Sequence, residues 1–243
     1  MNNQKAETLQ GTEKEKFVQQ VFEDIAENYD QMNSILSFRR HQAWRKFAMK
    51  KMQVGQGDSA IDVCCGTCDW TISLAKASKT GSVIGLDFSP KMLTVGMTKL
   101  QKEKLEDNVN LIEGNAMELP YPDNTFDFAT IGFALRNVPD VTKVLQEMKR
   151  VVKPGGKVVS LELSKPTWKP FRSLYFFYFG RILPLLGKLF VNRYEQYKWL
   201  PTSLQSFPDY KELEQMMKEE VGFSRVEVYP LSGGITALHI GYK

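Results

Sequence analysis

Two hydrophobic periods succeed one another along this chain. Over residues 12 to 28, Phe17, Val18, Val21, Phe22 and Ile25 recur at the three- and four-residue spacing of one helical face. That pattern gives way at Asn28-Tyr29-Asp30, and a second helix is predicted near Arg39 to Met52, with Trp44 and Phe47 on its buried side. From Ser59 onward short apolar runs alternate with amphipathic ones. Ser59–Cys64, Ser82–Asp87, Val109–Glu113, Phe126–Ile131 and Lys157–Leu163 read as strands. Asp69–Ala77, the stretch from Ser89 to about Lys104, and the stretch from Asp140 to near Val152 read as helices. Ser89-Pro90 is a cap followed by proline at the first helical position, and Asp140 is a second cap. Residues 164–208 break the rhythm with aromatic, basic and proline residues. It returns with a helix at Asp209–Glu220 and strands near Arg225–Tyr229 and Ile235–Tyr242, and Ser232-Gly233-Gly234 between those strands predicts an antiparallel hairpin.

Strands alternating with helices predict an α/β fold: a doubly wound, mostly parallel, seven-stranded Rossmann-like sheet ending in an antiparallel hairpin. The 243 residues suit one domain, with residues 1–52 as a helical lid and 164–208 as an insertion. Composition changes this picture little. Hydrophobic residues at 42%, charged residues at 25% and a net charge of +4 are ordinary for a globular protein and supply no clear basic stripe for nucleic acid. Three cysteines within Cys64–Cys68 argue against a disulfide framework and for a reducing cytoplasm. The first residues show no secretory signal, and the greasiest stretch, Phe171 to Val191, is broken by Arg172, Arg181, Pro184 and Lys188.

Chemistry concentrates where strands end. Asp87, closing the second strand about 20 residues after a tight turn of small residues, is placed to accept hydrogen bonds from ribose hydroxyls. Gly66 lets backbone approach a ligand, and Thr67 offers a hydroxyl and an N–H at a helix start, where a carboxylate is welcome. The three glycines of a pyrophosphate loop are missing, so an adenosyl ligand without phosphates, S-adenosylmethionine, fits better than a dinucleotide. Asp62, inside the first strand, either ties down the loop or meets the ligand's amino group. Asn115 with Ala116 can hydrogen-bond and make room for an adenine edge, or simply form an Asx turn. Cys65-Gly66-Thr67-Cys68 reads as the lining of a tight loop, and no metal site is expected. His41, beside Arg39 and Arg40, reads as part of a solvated helix face, and His239 as part of a strand. Arg136 and Asn137 follow the fourth strand at the ligand edge, where an arginine can stabilise an oxyanion and an asparagine can orient a water or a hydroxyl.

With these residues assembled, the strand–loop–Asp87 layout resembles the class I S-adenosylmethionine methyltransferases. Two longer stretches are more specific. Tyr29-Asp30-x-Met32-Asn33 with Ser37 and Trp44, and Arg150-Val-Val-Lys-Pro154-Gly-Gly leading to Glu162-x-Ser164, are similar to the two signatures of the UbiE/MenG quinone C-methyltransferases. Leu135-Arg136-Asn137-Val138 extends the match across nearly the whole chain. One departure is the loop itself, which carries Cys64, Cys65 and Cys68 around a single Gly66 where methyltransferases in general have more glycine.

The resemblance implies Thr67, Asp87, Asn115 and Ala116 as cofactor contacts, and methyl transfer to a ring carbon of demethylmenaquinol, the last step of menaquinone biosynthesis. Arg136 then becomes the cation beside a developing phenolate, Asn137 a holder of water, and Tyr29 a cover over the ligand. No histidine or carboxylate stands out as the base. The polyprenyl tail of such a quinol suits the segment Phe171 to Arg193, as a tunnel wall or in a membrane interface, against the alternative of an ordinary core-covering insertion. Partners expected are therefore the polyprenyl quinol and peripheral contact with the inner face of the membrane, without nucleic acid; a homodimer is left open. Two other readings stay open: a benzoquinol acceptor of the ubiquinone pathway, and a nicotinamide-dependent oxidoreductase on the same sheet.

Overall fold

The computed structural model describes residues 11–166, 168–178, 181 and 202–243. Its strands are β1 (Ala60–Val63), β2 (Val83–Asp87), β3 (Val109–Glu113), β4 (Phe126–Gly132), β5 (Val152–Leu163), β6 (Arg225–Leu231) and β7 (Thr236–Tyr242). They form one sheet in the order β3-β2-β1-β4-β5-β7-β6. β1 to β5 pair in parallel, and β7 lies antiparallel between β5 and β6. β1 and β2 are buried at every position, as expected of central strands covered on both faces.

One face packs on α3 (Arg40–Met52), α4 (Asp69–Ser78) and α5 (Pro90–Glu103), through Trp44, Ala48, Met52, Leu74 and Leu100. The other packs on α6 (Val141–Val151) and the helix Tyr210–Glu219, through Val144, Leu145, Met148, Leu213 and Met217. The two-residue period of β1 sorts its side chains accordingly, Ile61 and Val63 joining the second layer and Ala60 the first. The predicted caps are present: Ser89 accepts from Met92 N–H and Asp140 from Lys143 N–H. Because β2 and β4 flank β1 on opposite sides, the chain reverses direction across the sheet there. That leaves a crevice at the carboxyl ends of β1 and β4.

The structure departs from the sequence reading in three places. The break at Asn28-Tyr29-Asp30 is one 3-10 turn, Ala26–Asn28, between α1 (Gly11–Ile25) and a further helix, α2 (Tyr29–Leu36). Two consecutive left-handed residues, Phe38 (φ 50°) and Arg39 (φ 59°), then turn the chain into α3. Lastly β5 starts early, at Val152, and Lys153–Gly156 loops out as an irregularity between the Phe126 and Phe128 pairings. Of the insertion at 164–208, residues 164–166, 168–178, 181 and 202–208 are described, and they include α7 (Lys169–Phe177). No helix among the described residues is long and apolar enough to cross a membrane.

Candidate active site

A cavity of about 1620 Å³ occupies the crevice, lined by the loops after β1, β2, β3 and β4 and by residues of α1, α2, α3 and α7. A pocket for one small ligand holds about 300–1,000 Å³, so this one has room for two molecules. All nine residues singled out in the sequence face it: Tyr29, Asp62, Gly66, Thr67, Asp87, Asn115, Ala116, Arg136 and Asn137.

The loop after β1 is shaped by three left-handed residues, Cys64 (φ 55°), Gly66 (φ 54°) and Cys68 (φ 66°). Asp87 fastens it: one carboxylate oxygen accepts from Gly66 N–H at 2.8 Å and the other from Ser89 N–H at 2.9 Å. Burial pushes the Asp87 carboxyl up to about 6, against these backbone hydrogen bonds. A carboxylate accepts about four hydrogen bonds, so Asp87 keeps capacity for two hydroxyls. A Cβ built on Gly66 would meet nothing within 4 Å, so the space above this backbone is open to a ligand. A carboxylate with acceptor capacity beside open backbone is what a ligand with sugar hydroxyls, such as S-adenosylmethionine, requires.

The loop leans on α5 at a second glycine. A Cβ at Gly96 would lie 2.3 Å from Cys68 Sγ and 3.3 Å from Cys68 Cβ. Gly96→Ala is therefore expected to destabilise the protein by about 1–3 kcal/mol, although alanine is the better helix former. A thermal melt that matches or exceeds the wild type would show that α5 does not support the loop.

Asp62 lines the cavity and is tied to its neighbours. Its two oxygens accept from Thr71 on α4 and Thr130 on β4, each at 2.7 Å, and burial pushes its carboxyl up to about 6. Asn115 makes the Asx turn, its Oδ1 accepting from Met117 N–H at 2.9 Å. The Thr67 hydroxyl donates to Asp30 at 2.6 Å, inside a network the sequence did not reveal. Lys99 of α5 pairs with Asp30 (2.7 Å) and with Asp69, which also pairs with Arg45 at 3.0 Å. Burial alone would pull the Lys99 ammonium down, but Asp69 and Asp30 hold it above its usual value. The network clamps α2 and α3 over α4 and α5.

Arg136 sits in the short turn Leu135–Asn137 after β4, almost wholly buried. Its Nη1 donates to Phe133 O at 2.6 Å and to the Glu162 carboxylate. Glu162, 2% exposed in β5, also accepts from the backbone N–H of Arg136 (3.2 Å) and of Leu163 (2.7 Å). Nε of Arg136 is buried and has no partner among the described residues, and the residue lines the cavity. Glu162 appears in the sequence as part of a signature, but no periodicity marked it as the counter-ion. Burial pushes the nearby Tyr29 phenol up, while a hydrogen bond from Asn33 and the Arg136 charge pull it back.

His41 corrects the sequence reading. It is 6% exposed, not solvated, and lines the cavity. Arg39 and Arg40 beside it are exposed, because α3 turns His41 inward with Trp44 and Ala48. The helical spacing of His41 with Trp44 and Ala48 carried this signal. His239 lies in β7, as read.

The architecture is that of the S-adenosylmethionine-dependent methyltransferases. A solved methyltransferase of this kind from Aquifex aeolicus superposes with a TM-score of 0.56 at 20% identity, over 81% of this chain and 88% of that one. Phosphoethanolamine N-methyltransferase 2 of Haemonchus contortus, solved with S-adenosylmethionine, gives 0.56 at 21% identity, over 77% of this chain and 38% of that one. Within that class, the chain belongs to the ubiE/COQ5 methyltransferase family, whose model matches residues 10–243. It is 58% identical over 231 residues to the demethylmenaquinone methyltransferase of Halalkalibacterium halodurans (95% of this chain, 94% of that one). It is 55% identical to that of Geobacillus stearothermophilus (95% and 98%).

Proposed function

We propose that this chain methylates a ring carbon of demethylmenaquinol with S-adenosylmethionine, completing menaquinol. The observation that carries this reading is one continuous cavity with two chemistries. Asp87, Gly66 and Thr67 line one part, and Leu163, Phe171, Tyr175 and Ile235 line another, apolar part suited to a polyprenyl quinol.

Asp87 accepts from the sugar hydroxyls, and Ala116 with Asn115 borders the base. The bound cofactor supplies an electrophilic methyl group. The work left to the protein is alignment and charge. A quinol ring carbon becomes nucleophilic as a hydroxyl of the ring loses its proton. Arg136 lines the cavity and brings its positive charge to the oxyanion that then develops, and Glu162 holds that guanidinium in place. Asn137 holds a water, and Tyr29 closes over the ring. Supplying a methyl-labelled donor with demethylmenaquinol or a demethylated benzoquinol is expected to put label into the naphthoquinol, read by mass spectrometry. Label in the benzoquinol alone would overturn the assignment.

The acceptor's tail places the enzyme at a membrane surface, and charge supports peripheral contact. Residues 31–57 and 163–194 hold twelve of the 32 basic residues and none of the 28 acidic ones, so the rest of the chain is acidic. The described parts of these two segments border the cavity, and there they expose Phe38 (77%), Leu174 (63%) and Phe177 (58%). Exposed aromatic and aliphatic residues among arginines form the pattern of an anionic interface. The protein is expected to float with vesicles of phosphatidylglycerol and phosphatidylcholine and to be released by salt. Arg39→Glu with Arg172→Glu, both exposed and outside the cavity lining, should lower the bound fraction at least tenfold. Equal flotation of variant and wild type would exclude this surface.

A further inference from the structure

Four polar side chains repeat every four residues along the inner side of α2 and the start of α3: Tyr29, Asn33, Ser37 and His41, all lining the cavity. They are joined partly through side chains and partly through the main chain. The Asn33 side chain hydrogen-bonds Tyr29. The Ser37 hydroxyl donates to Asn33 O at 2.5 Å and lies 2.7 Å from His41 Nδ1. A serine has a single hydroxyl hydrogen, and here the main-chain carbonyl takes it. His41 Nδ1 must therefore carry the hydrogen of the Ser37–His41 bond, which leaves Nε2 as the lone-pair nitrogen of a neutral ring.

We infer that His41 is the catalytic residue that takes the hydroxyl proton of the acceptor, through Nε2. The inference rests on the quinol reading above. In this step the quinol O–H bond breaks, its electron pair stays on oxygen, and a new N–H bond makes the imidazolium. The oxyanion meets the guanidinium of Arg136; once the ring carbon has taken the methyl group, the hydrogen on that carbon leaves as a proton, the oxygen regains one, and the imidazolium returns its own to water, so one proton is released overall. Ser37 fixes the tautomer, the orienting part that a general base requires. His41 is the one histidine among the residues that line the cavity.

The charged groups around the ring come from four helices. Burial and Arg45 on α3 lower the imidazole below its usual 6.5, as does Lys99 on α5, while Asp69 on α4 and Asp30 on α2 raise it. The balance keeps the ring neutral near pH 7.

Two substitutions separate a base from a structural histidine. His41→Asn retains a side-chain N–H to hold Ser37 but has no basic nitrogen, and His41→Ala opens space for added imidazole. With demethylmenaquinol and saturating cofactor, both variants are expected to lose turnover about a hundredfold or more. Cofactor affinity by calorimetry and the melting temperature of His41→Asn should stay near wild type. The wild-type rate should fall on the acid side with a midpoint below 6.5, and that limb should be missing from the residual rate of His41→Asn. Imidazole in the buffer should restore part of the His41→Ala rate. Near-normal turnover in His41→Asn, an unchanged acid limb, or no rescue of a folded His41→Ala would overturn the role. If the wild-type protein methylates no quinol at all, the functional reading fails instead.

Discussion

Glu162→Ala is expected to lower stability by about 3–5 kcal/mol, because it leaves the Arg136 guanidinium buried without its counter-ion. The carboxylate also accepts two backbone N–H groups, of Arg136 and Leu163, so the turn after β4 loses its tie to β5 in the same step. Arg136→Met combined with Glu162→Leu removes both charges together, and apolar replacement of a buried pair is often neutral or stabilising. The double variant should therefore melt well above Glu162→Ala and yet turn over far more slowly than wild type, with cofactor affinity little changed. Denaturant unfolding, calorimetry and turnover on the three proteins read this directly. A double variant with wild-type turnover would remove Arg136 and Glu162 from the chemistry. A Glu162→Ala protein as stable as wild type would show that the pair does not anchor the turn.

Asp87→Ala should nearly abolish cofactor binding. Two hydrogen bonds to a charged acceptor are worth about 1.5–3 kcal/mol each, so affinity should fall on the order of a thousandfold. The loop released from its Gly66 tether adds to the loss. The pH dependence has a definite sign. Burial raises the carboxyl from 3.8 to about 6 in the folded protein, so the folded state holds a proton that the unfolded state gives up over this window. The stability contributed by this proton is complete below 3.8 and disappears as pH rises through about 6. Asp62 acts in the same direction. Cofactor binding favours ionised Asp87 and so strengthens over the same interval. The thermal shift produced by S-adenosylmethionine should therefore grow with pH as the melting temperature of the protein alone declines. A cofactor affinity that is flat across pH 6 would mean Asp87 is not the sugar's partner.

The sheet and its edge were legible because they rest on strong local signals. Asp87 closes an apolar run, Ser89-Pro90 and Asp140 cap helices, and the glycine turn at 232–234 fixes the hairpin. What escaped depends on which way a side chain points after packing. His41 has two arginines as neighbours and reads as solvated until the left-handed pair Phe38-Arg39 rotates α3. Glu162 is an acid within an apolar strand, and only the turn carrying Arg136, 26 residues earlier, explains it. The ladder from Tyr29 to His41 has a clear four-residue spacing, hidden because Tyr29-Asp30 looks like a helix end when it is a helix start. Lys99 gathers partners from 30 and 69, a convergence that no local window contains.

The first helix is held over the cavity by Lys14, which donates to the carbonyl of Val138 at 2.8 Å, and by Gln19, which donates to that of Phe88 at 3.0 Å. Every residue offers such an oxygen whatever its side chain. Positions 88 and 138 can therefore drift in sequence without loosening the roof, provided their loops keep their path. The burden of identity falls on the two donors alone. In relatives that keep this roof, variation should be tolerated beneath α1 and resisted within it.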